Sequence, residues 1–176
     1  VSKVVAGRIR GGSAFVAVLS SALTGTISGS AVANTASTGV ITIPLMKSSG
    51  FRGRFAGGVE AAASTGGQLM PPIMGAGAFV MASYTAIPYS TIVSVSIMPA
   101  VLYFLSVASA VRIEAVKYRV GEGIDMRVSR AKILAGALTF IIPLTVMIYF
   151  LMAGVTPSFA ASASIAVLIG VSWVAW

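Results

Sequence analysis

The chain has 176 residues, 57% hydrophobic and 9% charged, with a formal net charge of +8, where a soluble domain has roughly a quarter of its residues charged. That leaves too little polar surface to cover a water-exposed globule, and the basic residues sit in short gaps between apolar segments rather than in a patch that reads nucleic acid. Cysteine and histidine are both absent, which excludes disulfides, thiolate metal sites and an imidazole base.

Residues 11–46, 55–111 and 133–176 together carry one charged side chain, Glu60. Lipid is the natural solvent for such stretches. Lys3, Arg8 and Arg10 precede the first stretch, and Lys47, Arg52 and Arg54 follow it. If basic flanks lie inside, both of its ends are cytoplasmic. Residues 12–46 number 35, short of the roughly 40 plus a turn that two crossings need. Their midpoint falls in the polar run 24–30, which predicts a re-entrant helical hairpin over 12–46 with its tip near mid-membrane. Two tight spans joined by an outer turn are the alternative.

A broken helix is predicted over 55–85. Ser64-Thr65-Gly66-Gly67-Gln68 and Pro71-Pro72 interrupt it, because proline removes a backbone donor and clashes with the preceding turn. The halves are expected at 55–70 and 72–84, with an outer turn at Ala86-Ile87-Pro88-Tyr89. A transmembrane span at 90–111 follows, then a basic cytoplasmic loop at 112–132, a span at 133–153 in which Pro143 makes a kink, a turn at Gly154-Val155-Thr156-Pro157, and a last span at 158–176. Beginning at Val1 and ending at Trp176 inside an apolar run, the chain is expected to be a fragment of a longer protein.

Helix breaks inside a bilayer leave N–H and C=O groups that must line a cavity or meet a ligand. The outgoing arm of the hairpin starts near Ser30, where Ser28 and Ser30 are candidate caps and the positive helix end suits a carboxylate. The carbonyls of the incoming arm, Gly25 to Ser28, suit a cation such as sodium, and the break from Gly66 to Pro72 offers the same pair of ends. The chain's only side-chain amides, Asn34 and Gln68, stand beside the two breaks. Each is a candidate ligand, against the alternative of helix-to-helix hydrogen bonding. Thr35, Ser37 and Thr38 face the same choice, with bonding back to their own helix expected for at least one. Candidate substrate contacts are therefore Ser28, Gly29, Ser30, Asn34 and Thr35, and candidate cation contacts are Gly25, Ser28, Gly66, Gly67, Gln68 and Pro71. Gly57, Gly58, Gly75 and Gly77 are expected to serve close helix packing. Glu60 is expected to pair with Arg52 or Arg54 at the inner interface, with a cation or proton ligand as the sharper alternative.

The run Gly25-Thr26-Ile27-Ser28-Gly29-Ser30-Ala31-Val32-Ala33-Asn34, with Ile43-Pro44-Leu45-Met46-Lys47, Gly50-Phe51, Phe55-Ala56-Gly57, the stretch from Glu60 to Gln68 and Met70-Pro71-Pro72, resembles the large membrane subunit of tripartite ATP-independent periplasmic (TRAP) transporters. It is most similar to the forms in which small and large subunits share one chain. The resemblance is strong from residue 25 to residue 72 and rests, after Val111, on hydropathy, Ile142-Pro143-Leu144 and the region from Gly154 to Pro157. It implies an all-α integral membrane protein of elevator type, built of two inverted repeats, each with a re-entrant hairpin and a broken helix. It also implies sodium-coupled uptake of small organic anions delivered by a periplasmic substrate-binding protein, with a small membrane subunit as partner, no cofactor beyond sodium, and a place in the bacterial or archaeal cytoplasmic membrane. By this likeness sodium is held by the hairpin tip and the 66–72 break. Only one hairpin and one broken helix are present, so the second pair is expected elsewhere, and no arginine stands in either motif to meet a substrate carboxylate.

Two other classes fit less well. A membrane serine hydrolase using Ser28 or Ser30 needs a base, and no Lys, Asp or Glu lies near the tip in sequence. A channel or purely structural subunit calls for continuous spans rather than two breaks.

Overall fold

The structure, a computed structural model, describes residues 11–120 and 130–175. Among these the chain is helical throughout: α1 (Gly12–Ser28), α2 (Ala31–Ser48), α3 (Gly53–Gly67), α4 (Ala76–Thr85), α5 (Tyr89–Tyr118), α6 (Arg130–Met152) and α7 (Pro157–Ala175). Lys3, Arg8 and Arg10, used above as flanks, residues 121–129 of the expected loop, and Trp176 at the end of the last span lie outside the described residues.

The first two helices form a hairpin whose turn is Gly29-Ser30. Gly29 has φ 61°, a left-handed conformation that glycine adopts without a Cβ penalty, and its N–H donates to Gly25 O at 3.0 Å. Ser30 is the N-cap of α2, its Oγ accepting from the N–H of Ala33 at 3.3 Å. With 17 and 18 residues the arms are about 25–27 Å long, each less than the roughly 30 Å of a hydrocarbon core.

Helix α3 packs across both arms. Ala14, Ala17 and Val18 of α1, Met46 of α2, Ala56, Val59 and Ala63 of α3, and Val111 and Ala115 of α5 form the main buried apolar cluster. The small side chains on α1 and α3 bring the backbones close, as is usual where helices meet in lipid. Outward, Val32, Val40, Val95, Met98 and Leu105 are exposed, which suits a surface bathed by lipid or other helices rather than water. Helix α5 alone among the described residues is long and apolar enough to cross a membrane by itself.

Several expected boundaries shift. The first half of the broken helix runs over Gly53–Gly67 and the second over Ala76–Thr85, so the break spans residues 68–75 rather than starting at Met70 and ending at Pro72. The residues after the prolines stay extended or turned, with Met74 at φ 62°, and helical bonding resumes only once Gly75 has turned the chain. The element expected to end at Val111 and give way to a loop over 112–132 continues as helix to Tyr118, where Arg119 at φ 50° closes it. Helix α6 begins within that expected loop, at Arg130. Charged side chains do not stop a helix; they merely move its solvation to a different medium. Turns lie at 86–88 and 153–156, with Ala86 at φ 54° and Gly154 at φ 77°, whereas Tyr89 and Pro157, expected in the turns, open the helices that follow. Pro143 lies inside α6, which runs unbroken over it.

Candidate functional site

The hairpin turn and the 68–75 break lie against each other. A Cβ on Gly25 would stand 2.8 Å from Gly67 Cα, and one on Gly67 would stand 2.6 Å from Gly25 Cα. Both distances are shorter than real Cβ contacts, so only a pair of glycines permits this crossing. A Cβ on Gly29 would meet Met74 O at 3.1 Å and Gly75 Cα at 3.3 Å. Gln68 closes the junction by donating from Nε2 to Gly29 O at 3.2 Å, and Gly75 N donates to Gln68 O at 2.8 Å. The carbonyl-bearing ends of α1 and α3 and the N–H-bearing starts of α2 and α4 thereby converge, bringing partial charges of about −0.5 and +0.5 per helix end into one place.

The break is held from the other side by α5. Tyr89 Oη donates to Pro72 O at 3.1 Å and also contacts Ile73 O, while its ring stacks on Phe79 with centroids 4.5 Å apart. Tyr103 Oη donates to Ala62 O at 3.0 Å, and its ring lies over Gly66, where a Cβ would come within 2.5 Å of Tyr103 Cε1. Gly66 is thus a seat for an aromatic ring, and Gly67 is the helix crossing.

The candidate residues divide accordingly. Gly25, Gly29, Gly67 and Gln68 meet at the junction, with Ser28 and Ser30 on the turn itself; Ser28 is exposed and Ser30 half-buried. Pro71 is half-buried within the break, and Gly66 faces α5. Asn34 borders the junction, a Cβ on Gly25 standing 3.2 Å from its Nδ2, and is 1% exposed among α1, α2 and α3, where Nδ2 donates to Ser21 O at 2.8 Å and Ser64 Oγ at 3.0 Å. Its Oδ1 is buried without a partner. Thr35 is half-buried beside it. Ser37 and Thr38 bond back to Asn34 O at 3.1 and 2.7 Å, the local alternative that short hydroxyl side chains take in helices.

Two expectations are corrected. Glu60 pairs with neither Arg52 nor Arg54; it is 0% exposed, two turns into α3 on the face that meets α1 and α2. Ser21 Oγ donates to its Oε1 at 2.6 Å and Ser64 Oγ at 3.3 Å; Thr38 Oγ1 contacts the same oxygen, and Thr42 Oγ1 contacts Oε2. Five residues from Phe55 suggested the interface, but α3 starts at Gly53 and turns Glu60 inward. Gly57, Gly58 and Gly77 have nothing within 4 Å of a built Cβ among the described residues, so of the four glycines assigned to packing only Gly75 is closely approached. The sequence signal that Ser21, Thr42, Ser64 and Glu60 belong together was present as i, i+4 pairs, Thr38 with Thr42 and Glu60 with Ser64, but pairing across helices is not visible in one chain. Tyr89 was read only as part of the outer turn and Tyr103 only as part of a span.

A re-entrant-type hairpin crossed by a broken helix, in a chain whose apolar side chains face outward, is the make-up of a membrane transporter. The family model for the tripartite ATP-independent periplasmic transporter, DctM component, matches residues 1–175, and the chain belongs to that family. No curated protein matches it, and no solved structure does.

Proposed function

We propose that this chain is one repeat of the transport unit of a cation-coupled TRAP permease, moving small organic anions such as carboxylates. The convergence of four helix ends at Gly29, Gln68 and Gly75 carries the reading. Carbonyls at the ends of α1 and α3 suit a dehydrated sodium ion, and N–H groups at the starts of α2 and α4 suit a carboxylate, so cation and anion are accommodated side by side without a charged side chain. The sodium contacts are Gly25, Ser28, Gly66, Gly67, Gln68 and Pro71, with Gly66 acting through its carbonyl. The substrate contacts are Ser28, Gly29, Ser30, Asn34 and Thr35; the buried Asn34 Oδ1 lacks a partner among the described residues and, as an acceptor, suits a substrate hydroxyl rather than its carboxylate. The substrate arrives from a periplasmic binding protein, a small membrane subunit, fused or separate, is the membrane partner, and the protein works in a bacterial or archaeal cytoplasmic membrane.

The test is uptake of a labelled organic acid by the complete transporter in liposomes, with its binding protein outside. An inward sodium gradient is expected to drive accumulation, and equal salt on both sides, or a proton gradient alone, is expected to give none. Accumulation driven equally by potassium and sodium gradients would refute sodium coupling.

A further inference from the structure

Glu60 is a buried carboxylate with an unusual set of partners. Around it stand four hydroxyls from three helices: Ser21 of α1, Thr38 and Thr42 of α2, and Ser64 of its own helix. Among the described residues no basic side chain pairs with it. Helix α1 contains no titratable side chain; those of α2 and α3 besides Glu60 are Lys47 and Arg54, in the last turn of one and the first of the other; those of α5 are Tyr89, Tyr103, Arg112, Glu114, Lys117 and Tyr118. None of these is among Glu60's partners. The approach of α2 is close, since a Cβ on Gly39 would meet Glu60 Cγ at 3.3 Å.

The two threonines each have a second acceptor in reach. Thr38 Oγ1 lies 2.7 Å from Asn34 O, and Thr42 Oγ1 lies 3.0 Å from Thr38 O. When Glu60 is ionised it accepts from all four hydroxyls, Ser21, Ser64 and Thr38 at Oε1 and Thr42 at Oε2. When it is protonated at Oε2, that O–H donates to Thr42 Oγ1. Thr42 then turns its own hydrogen to Thr38 O, and Thr38 turns its hydrogen to Asn34 O. Oε1 keeps the bonds from Ser21 and Ser64. An ionised carboxylate only accepts, whereas a protonated one donates once, and hydroxyls do both, so each state is fully hydrogen-bonded and the change needs only two hydroxyl rotations.

We propose that Glu60 is a proton-binding site at the junction of α1, α2 and α3, distinct from the convergence of helix ends. Uptake places a proton from water on Oε2, release returns it to water, and the charge of the unit changes by one while its packing is kept. Asn34 links the two places through Ser64, to which it donates at 3.0 Å.

The test is infrared difference spectroscopy of the complete transporter between acidic and alkaline buffer, in the absence of substrate and of any ion gradient, so that it stands apart from the transport reading. A protonated-carboxyl C=O band is expected in acid, lost reversibly in alkali, missing from Glu60→Gln, and moved in frequency in Thr42→Val because the O–H has lost its acceptor. Should Glu60→Gln fail to fold, the displacement in Thr42→Val decides. A spectrum without such a band, or a band left unmoved by Thr42→Val and retained in Glu60→Gln, overturns the proposal.

Discussion

At the scale of residues, the structure turns on backbone atoms that only glycine exposes. Gly25 and Gly67 meet Cα to Cα, so an added methyl group at either has to push backbone, not a flexible side chain. Gly67→Ala is expected to lower the thermal stability of the complete transporter by about 1–3 kcal/mol, the usual cost of overpacking. Gly58→Ala, with open space around its Cβ, is expected to leave stability unchanged or raise it, since alanine favours the helix by about 1 kcal/mol. Equal effects of the two would remove the crossing as the reason for Gly67. Asn34, a candidate ligand weighed against helix-to-helix hydrogen bonding, has its nitrogen in the latter role. Its position beside the hairpin turn was legible; that its nitrogen would be committed to Ser21 and Ser64 while its oxygen stays free depends on α3, which sequence periodicity cannot place.

Among the elements, the hairpin was legible because its signals are local: basic flanks, a length too short for two crossings and a Gly-Ser turn. The break was legible from Pro71-Pro72, although its far edge was not, because the chain after a double proline resumes helix where tertiary contacts allow. Here the pin is Tyr89, whose hydroxyl reaches Pro72 and Ile73 carbonyls from α5. Glu60 misled the sequence reading since distance along the chain was taken as depth, while the direction in which α3 faces decides burial. With arms of about 25–27 Å, the hairpin is expected to enter and leave on one side. In the full transporter, which is to be made free of other cysteines, Ala86→Cys is expected to react with an impermeant thiol reagent from outside and Ser28→Cys to be protected. Equal labelling at both positions would require two complete spans.

Over the whole molecule, family membership places these elements in a membrane transporter, and the converging helix ends supply partial charges where charged side chains are few. Each break exposes backbone groups that lipid cannot satisfy, and their meeting makes the cost common and gives a ligand something to repay. Gln68 is the side chain through which the break grips the hairpin turn, by way of Gly29 O. If that junction holds the coupling ion, loosening the grip must weaken ion binding before it weakens anything else. The direct measurement is the sodium concentration giving half-maximal uptake by the complete transporter carrying Gln68→Ala, at matched membrane yield. Loss of one hydrogen bond worth about 1 kcal/mol is expected to raise it about fivefold, and a sodium requirement identical to that of the unaltered protein would contradict a cation site at the junction.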